Sequence, residues 1–376
     1  MASPACNKKY HPHPQGIGNM ERTCSARVGL HSLPNELLVI IVQKGKVKGF
    51  LKPLSQVSKV FRQLCIPFMF NTLRITASTA GLNCLTQASQ SLIRPYVKTI
   101  HYEVSELIDP LAQNWDTFRT CIYPVSEYTR DRKERWSMLG GRDVSYSTVY
   151  SYFCARSQEQ QAIIRSGHDI TVLCASLSSF PQLDTILLRF EDNIELPFHW
   201  LADRVLLDGQ LSFLDQLRKV ATAIKAAKEY GISIHTFEIS GFDPQSLSQE
   251  PHELDLLTDA LTDIQELRLE DSPTLLGFFT RSPLPSLRRF ELGSYWMSAT
   301  ELKEFVYAHA NTLKYLHLED IWLLREKREE DYVDLLLATT EAILESIRDI
   351  RRSGILHELT MNRQANGGCE IRERLK

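Results

Sequence analysis

Two pairs of residues have the side chains that metal-dependent or nucleophilic catalysis would use. His357 and Glu358 begin like the zinc motif HExxH, but Met361 occupies the position of the second histidine, so a zinc ion would lack a ligand there. Cys154 and His168 could act as nucleophile and general base, yet nothing in the sequence fixes their separation. We interpret Cys154 as a buried thiol and His168 as a loop residue.

A third candidate is a set of zinc ligands near the N-terminus, comprising Cys6, His11, His13 and Cys24. Their spacing matches no standard zinc site. The chain also contains no GxxxxGK[ST] phosphate loop, no GxGxxG after a strand and no GxSxG elbow. The sequence therefore predicts no catalytic residue, no metal site and no cofactor, and the chain is expected not to be an enzyme.

Composition and charge describe a soluble globular protein. Of 376 residues, 43% are hydrophobic and 24% charged, and the formal net charge is −3. A protein that binds nucleic acid or an anionic membrane needs a basic field, so neither partner is expected. No apolar run approaches the roughly 18 residues of a membrane span, and no secretory signal is visible. The eight cysteines form no CxxC pair, so a reducing compartment, cytoplasm and/or nucleus, is expected.

Residues 1–29 contain prolines and glycines without periodicity, and we interpret them as a disordered tail. Residues 30–74 have the apolar spacing of two or three short helices. The positions at helical spacing are Leu33, Leu37 and Ile41, followed by Leu54, Val57, Phe61 and Leu64. Such a stripe predicts helices with one buried face. Pro34 suits a first helical turn, and Pro67 is predicted to end the last helix.

The same segment, 30–74, resembles the F-box motif in order and spacing. The residues that carry the resemblance are Leu33, Pro34, Glu36, Leu37, Leu38, Ile41, Leu54, Val57 to Arg62, Leu64 and Cys65. The segment departs from the family at Gln43 to Gly49, which is basic where the family is usually apolar. The resemblance implies binding of the Skp adaptor and, through it, of a cullin. The implied adaptor contacts are Leu33, Pro34, Leu37, Ile41, Leu54, Val57 and Phe61. The alternative is an ordinary helical hairpin packed on the following domain.

From Val97 onward one spacing recurs seven times: an apolar residue, two others, an apolar residue, one other, an apolar residue. The copies are Val97-Ile100-Tyr102, Leu183-Ile186-Leu188, Ile234-Phe237-Ile239, Ile264-Leu267-Leu269, Leu287-Phe290-Leu292, Leu313-Leu316-Leu318 and Leu356-Leu359-Met361. The last two positions alternate like strand residues that share a buried face. This spacing resembles leucine-rich repeats. The predicted fold class is α/β: a small helical F-box followed, over residues 75–362, by an irregular leucine-rich-repeat-like βα solenoid with a parallel sheet.

Several intervals between the copies contain helix signals. Ser298 and Glu301 form a capping box before an apolar stripe, and Gly231 suits the position after a helix C-terminus. The longest interval, about 103–182, is an aromatic-rich insertion that we interpret as core under a long loop, with a ligand pocket as the alternative. Arg130–Arg135 is interpreted as a solvated face. A helix from Arg325 is predicted to cap the sheet, and residues 363–376 are predicted to be a flexible tail.

Residues between the buried strand positions should line the concave side of the solenoid. At the fourth position after each first apolar residue lie His101, Leu187, Glu238, Arg268, Glu291, His317 and Thr360. At the sixth lie Glu103, Arg189, Ser240, Glu270, Gly293, Glu319 and Asn362. This polar stripe suits recognition of another protein by complementary charge, and a merely solvated sheet face is the alternative. The predicted target contacts are Arg268, Glu270, Glu291, His317 and Glu319.

The resemblance and the repeats together predict a substrate receptor of a Skp–cullin–F-box ubiquitin ligase. The F-box would bind Skp, the repeat domain would bind an unknown protein substrate, and other subunits would transfer ubiquitin. One alternative is a repeat-domain scaffold without a link to a ligase. A further alternative is an enzyme that uses the aromatic insertion.

Overall fold

The computed structural model describes residues 33–47, 49–134, 144–191, 194–207, 209–242, 251–324, 349, 352, 354–364 and 370–375. The predicted N-terminal tail lies outside these residues, and so does most of the helix predicted from Arg325. The chain divides into two compact units, residues 1–64 and 65–376. No helix in the described ranges combines the length and the apolar character needed to cross a membrane.

The first unit is helical, with α1 at Asn35–Val47, α2 at Leu51–Val57 and the start of α3 at Lys59–Met69. Gly45 lets α1 and α2 approach closely, since a Cβ at this position would lie 2.5 Å from Cδ1 of Leu54. The Ser58 hydroxyl accepts a hydrogen bond from the Phe61 backbone N–H at 3.2 Å, which caps α3. The prediction that Pro67 ends this helix is wrong, because α3 continues past it to Met69.

The second unit contains one nine-stranded sheet whose spatial order follows the chain. The strands are β1 (Thr72–Thr76), β2 (Thr99–Val104), β3 (Thr185–Phe190), β4 (Thr236–Ser240), β5 (Glu266–Glu270), β6 (Arg289–Ser298), β7 (Tyr315–Leu324), β8 (Glu358–Gln364) and β9 (Glu370–Leu375). Strands β1 to β8 are parallel. The α/β class and the parallel sheet are therefore confirmed, and the seven predicted strands are β2 to β8.

The two ends of the sheet differ from the prediction. Strand β1 was not predicted, although Phe70, Leu73 and Ile75 repeat the apolar spacing of the other strands. At the opposite end, the flexible tail predicted from residue 363 is wrong for Glu370–Leu375, because β9 pairs antiparallel with β8.

The helices that follow α3 are α4 (Thr79–Gln90), α5 (Trp115–Thr117), α6 (Val125–Glu134), α7 (Tyr146–Ser166), α8 (His168–Leu177), α9 (Gly209–Glu229), α10 (Pro251–Ala260), α11 (Pro273–Arg281) and α12 (Ala299–Ala308). The main core joins apolar strand residues to apolar residues of α4 and α7 to α12. Leu267, Phe290 and Leu316 are neighbours on adjacent strands, and each is at most 1% exposed. The predicted apolar rows are thus the inner face of the sheet.

Two predicted helix ends have the capping residues that the sequence indicated. The Ser298 side chain accepts from the Glu301 backbone N–H, and the Glu301 side chain accepts from the Ser298 backbone N–H, so the capping box is confirmed. Gly231 follows α9 with a φ of +80°, as a helix-ending glycine does.

The insertion after β2 has a core of its own. The π-helical turn Phe118–Ile122 follows α5, and the 3₁₀ helix Phe198–Arg204 completes the cluster. Phe118, Tyr123 and Phe153 are fully buried there. The interpretation of the aromatic residues as core is confirmed for Phe153, whereas Tyr146, Tyr150 and Tyr152 are partly buried against this cluster.

Candidate functional site

The helical unit exposes several large apolar side chains. Of the predicted adaptor contacts, Pro34, Leu37 and Val57 are exposed, Leu33, Ile41 and Leu54 are half-buried, and Phe61 is fully buried. Since no part of the Phe61 side chain reaches solvent, Phe61 cannot contact a partner in this conformation. Its prediction as a contact is therefore corrected to a residue of the internal packing.

The phase of α1 explains which side chains are exposed. Leu38 and Val42 are the buried apolar residues of this helix, at 2% and 0% exposure, whereas Leu37 is 46% exposed. The sequence around them is apolar throughout, so spacing did not distinguish the two faces. Three further exposed apolar side chains were not predicted, namely those of Ile40, Phe50 and Val60.

In the second unit, the face of the sheet opposite the main core carries the predicted polar rows in register. The middle row is His101, Leu187, Glu238, Arg268, Glu291, His317 and Thr360, each paired with the next. The upper row is Glu103, Arg189, Ser240, Glu270, Gly293, Glu319 and Asn362. Glu270 and Glu319 are exposed, and Arg268, Glu291 and His317 are half-buried. We refer to this surface as the polar face.

Arg268 is the centre of the ion pairs on the polar face. Its Nη2 lies 2.6 Å from Oε1 of Glu266, its Nε lies 3.2 Å from Oε2 of Glu291, and its Nη1 lies 3.7 Å from Oε2 of Glu238. Partial burial lowers the pKa of Arg268, but the hydrogen bond to Glu266 and the surrounding carboxylates raise it further, so the net shift is upward. Arg268 is consequently always charged, and three carboxylates neutralise it.

Glu238 was not predicted as a contact, although it lies in the same row. Burial raises the pKa of Glu238, and the nearby Glu270 and Glu291 charges act in the same direction, against the opposing charge of Arg268. A carboxylate held in such surroundings costs stability when it is ionised. It is the kind of group that a cationic ligand would stabilise.

Next to the upper row, four residues in or directly after neighbouring strands have a left-handed backbone conformation, and we call them the left-handed ladder. Gly241, Asp271, Ser294 and Asp320 have φ values of 73°, 47°, 50° and 48° and follow β4, β5, the first half of β6 and the first half of β7 at equivalent positions. A Cβ at Gly241 would lie 2.3 Å from the Phe190 carbonyl oxygen, so only glycine fits there. The ladder turns each strand after its upper-row residue and places Phe242 and Ile321 in the core.

The five predicted target contacts line one cavity of about 270 Å³ on the polar face. Its other polar side chains are Glu238, Ser294 and Asp320. The carboxylates outnumber the cations in this lining, so the cavity favours a positively charged group. Sequence spacing located the cavity because a strand period of two places alternate residues on one face.

The aromatic insertion contains a buried charge that the sequence interpretation missed. Asp131 is 8% exposed, so the interpretation of Arg130–Arg135 as a wholly solvated face is wrong at this residue. Arg204 Nε donates to Asp131 at 2.8 Å, and the Tyr123 hydroxyl donates at 3.1 Å. Burial raises the pKa of Asp131, but these hydrogen bonds and the Arg204 charge lower it to a net value below the usual range. The network ties α6 to Phe198–Arg204.

The residues that could have supported catalysis lie in separate places. Glu358 lies on β8 as expected, and His357 immediately precedes the strand. Cys154 lies on α7, where it is half-buried rather than buried and its sulfur is 3.4 Å from Nε2 of Gln158. His168 begins α8, so its interpretation as a loop residue is wrong. Within the described part of the chain, no group of three or more metal-ligating side chains is positioned to hold a metal ion. The four N-terminal candidates lie outside the described residues.

No family model and no curated protein matches the sequence. Among solved structures, the chain is similar to a psychrophilic glycoside hydrolase family 10 endo-β-1,4-xylanase, with 8% identity over 78% of this chain and 85% of the xylanase chain. The TM-score is 0.22, so this likeness carries no argument about fold or function.

Proposed function

We propose that the chain is the substrate-recognition subunit of a Skp–cullin–F-box ubiquitin ligase. Residues 30–74 would act as the F-box and bind Skp. The sheet-containing unit would act as a leucine-rich-repeat-like domain that binds a protein target on its polar face. The observation that carries the proposal is the exposure of apolar side chains on the short helices that resemble an F-box.

The exposed apolar side chains favour a docking role for the helices. Leu37, Ile40, Phe50, Val57 and Val60 are each between 42% and 56% exposed. Removing such side chains from water on binding contributes roughly 25 cal/mol per Å² of apolar surface. Exposed apolar residues concentrated in one short segment often mark a protein interaction site.

The adaptor contacts proposed from the structure differ slightly from the sequence prediction. Leu33, Pro34, Leu37, Ile41, Leu54 and Val57 remain as contacts, and Ile40, Phe50 and Val60 are added. The buried residue Phe61 supports the conformation that presents them.

The polar face supports the second half of the proposal. Its charged side chains stand on paired strands rather than on loops, so their positions are set by the sheet. Such a surface selects partners by charge and hydrogen bonding more than by burial of apolar area. The target would be held near the ubiquitin-transferring subunits, and the rate of transfer would rise through proximity. The chain itself would supply binding and no catalysis, in the cytoplasm or the nucleus.

Copurification with Skp tests the adaptor half directly. Tagged full-length chain is coexpressed with Skp as wild type, as Leu37→Ala/Val57→Ala and as the matched control Lys52→Ala/Gln56→Ala, whose side chains are also exposed. Truncating a well-packed anchor commonly costs about 2 kcal/mol, or some thirtyfold in affinity. We expect Skp recovery to fall with the apolar variant and not with the control.

If the wild-type chain captures other proteins but no Skp, it is a scaffold without a link to a ligase. If Skp binds equally to all three forms, the proposed contacts on α1 and α2 are wrong.

A further inference from the structure

A second cavity lies at the edge of the sheet where strands β5 to β8 begin. It has a volume of about 610 Å³ and includes Arg288, Lys314 and His357 in its lining. The remaining lining side chains are those of Gln265, Pro285, Ser286, Asn311, Thr312 and Tyr315. None of the described residues that line this cavity is acidic, which distinguishes it from the cavity on the polar face.

The three basic residues occupy equivalent positions immediately before successive strands. The Lys314 backbone N–H donates to the Arg288 carbonyl at 2.8 Å, and the His357 backbone N–H donates to the Lys314 carbonyl at 2.9 Å. Adjacent strands lie about 4.8 Å apart, so the side chains start close together. The same position one strand earlier is Gln265, and before it is His235, whose Nδ1 lies 2.7 Å from Oδ1 of Asp184. Basic charge is therefore concentrated at the β6 to β8 end of this row of positions.

Arg288 and Lys314 have no carboxylate partner among the described residues. The nearby cations of the polar face do, since Arg268 pairs with three carboxylates and Arg289 lies 3.8 Å from Oε1 of Glu291. Two unpaired cations in a cavity without acids form a site for an anionic group. A guanidinium can bind a phosphate or carboxylate through two parallel hydrogen bonds, and an ammonium adds a point charge.

A third depression connects this basic cavity to the acidic one. It is about 390 Å³ in volume. It shares Tyr315 with the basic cavity, and it shares Glu291 and His317 with the acidic cavity. We call the three together the charged groove. The groove runs along the strands, with its basic end where the strands begin and its acidic end at the upper row.

The acidic end of the groove also contains a charged side chain, that of Glu270, without an ion-pair partner among the described residues. Glu270 accepts a hydrogen bond from the Ser240 hydroxyl at 3.3 Å. Lys314, immediately before β7, and Glu319, on β7, mark the two ends and lie five positions apart. At about 3.3 Å per residue this separation is about 16 Å.

We infer that the charged groove binds a short extended protein segment with an anionic side chain at one end and a lysine or arginine four or six residues away. An extended segment has the same rise per residue as the strands beneath it, and an even spacing places both side chains on one face, so its two charges would reach both ends of the groove together. The anionic group is a phosphorylated side chain or a carboxylate, since the same donors suit both. The inference rests on the proposed function, because it defines the target segment that the polar face would recognise.

Synthetic peptides test the inference on the full-length chain. Fluorescent ten-residue peptides of serine and alanine carry phosphoserine and lysine four or six residues apart in either order, two residues apart, or phosphoserine alone. A further peptide has glutamate in place of phosphoserine, which separates the phosphate source from the carboxylate source. Binding is followed by fluorescence anisotropy at low salt.

We expect a peptide with the four-residue or six-residue spacing, in one order, to bind at least about tenfold more tightly than the peptide with the two-residue spacing or with phosphoserine alone, because only it contacts both ends. Arg288→Glu/Lys314→Glu should abolish the contribution of the phosphate. The matched control is Lys98→Glu/Arg165→Glu, which makes the same charge change at exposed residues outside the groove. Lys98 immediately precedes β2, as Arg288 precedes β6 and Lys314 precedes β7.

Equal binding of all spacings would overturn the inference, and so would an equal loss from the control variant. Circular dichroism of each variant distinguishes lost binding from lost folding. Failure of the peptides does not by itself affect the proposed function. If Glu270→Lys/Glu319→Lys still removes captured proteins other than Skp, the polar face is the receptor surface and the inferred charge spacing is wrong.

Discussion

The helical unit and the polar face of the sheet expose opposite kinds of side chain. In the helical unit, Leu37, Phe50 and Val57 are each about half exposed. In the sheet, apolar residues such as Leu267 and Leu316 are at most 1% exposed, and the residues between them on the strands are mostly polar. One sequence thus contains an apolar surface on short helices and a charged surface on a regular sheet. This contrast predicts that the two surfaces bind partners by different forces.

The largest expected difference between the two regions is in stability. Leu316→Ala should lower the free energy of unfolding by roughly 2–5 kcal/mol, because it removes buried apolar surface and leaves a cavity. Leu37→Ala should change it by no more than about 0.5 kcal/mol. All five tryptophans lie in residues 65–376, so their fluorescence in a urea titration reports on the sheet-containing unit.

Lys314→Ala is the matched control for Leu316→Ala, because Lys314 immediately precedes the same strand without lying in the core. A loss from Lys314→Ala as large as that from Leu316→Ala would contradict the assignment of the inner and outer faces.

The next largest difference should appear in the response to salt. Raising the salt concentration from about 50 to about 500 mM shortens the Debye length from roughly 14 to roughly 4 Å. Peptide binding in the charged groove should weaken by about tenfold or more, whereas Skp binding should change by less than about twofold. Isothermal titration calorimetry at both concentrations measures the two responses. Equal salt dependence would remove the proposed distinction between an apolar and a charged surface.

Acid should affect the sheet-containing unit before the helical unit. His309 is 2% exposed, and its Nε2 accepts a hydrogen bond from the Leu284 backbone N–H at 3.1 Å. Burial lowers the pKa of His309, although the hydrogen bond to the Phe305 carbonyl opposes this shift. The unfolded chain therefore binds a proton more readily than the folded chain, and stability falls as the pH drops below about 6.5.

The expected loss between pH 6.5 and 5.5 is at most about 1 kcal/mol, the limit for one proton taken up on unfolding. Residues 33–64 contain no histidine, so α1 and α2 should not share this loss. Tryptophan fluorescence across the pH range follows the sheet-containing unit, and His309→Gln should flatten the dependence. An unchanged slope in this variant would assign the effect to another group.

The smallest expected effect concerns two carboxylates beside Arg268. Partial burial raises the pKa of Glu238 in the folded chain. Ionising Glu238 therefore lowers the free energy of unfolding at any pH above the pKa that this residue has in the unfolded chain. Glu238→Gln should therefore leave stability at pH 7 unchanged or raise it by less than about 1 kcal/mol, with the difference vanishing at about pH 4. Glu266→Gln should lower stability instead, because it removes the 2.6 Å ion pair with Arg268. Thermal unfolding at both pH values measures both variants, and a destabilised Glu238→Gln would mean that this carboxylate serves folding rather than binding.

The sheet could be predicted because its pattern is local. Each copy such as Leu313-Leu316-Leu318 contains its own turn entry and its two buried strand positions, and identical spacing places all the copies in register. Strand β1 was missed because Phe70, Leu73 and Ile75 overlap the segment assigned to helices. Strand β9 was missed because Glu370–Leu375 is largely charged, which is typical of an edge strand and gives little apolar signal.

The site could be predicted less completely than the sheet. Arg268, Glu291 and His317 follow from the strand period, and the structure places them in one row. The helical face could not be chosen, because Leu37 and Leu38 are both leucine within an apolar run. The basic cavity depends on loop residues such as Asn311, whose position is set by the packing of successive turns and not by any local spacing.

Quantitative affinity capture tests most directly the claim that one chain carries two independent protein-binding surfaces. Three forms of the full-length chain are compared in the same cells: wild type, Leu37→Ala/Val57→Ala and Glu270→Lys/Glu319→Lys. The account predicts that the first variant loses Skp and cullin and keeps the other partners, whereas the second keeps Skp and cullin and loses the others. Loss of both sets of partners from either variant, or of neither set from both, would contradict the account.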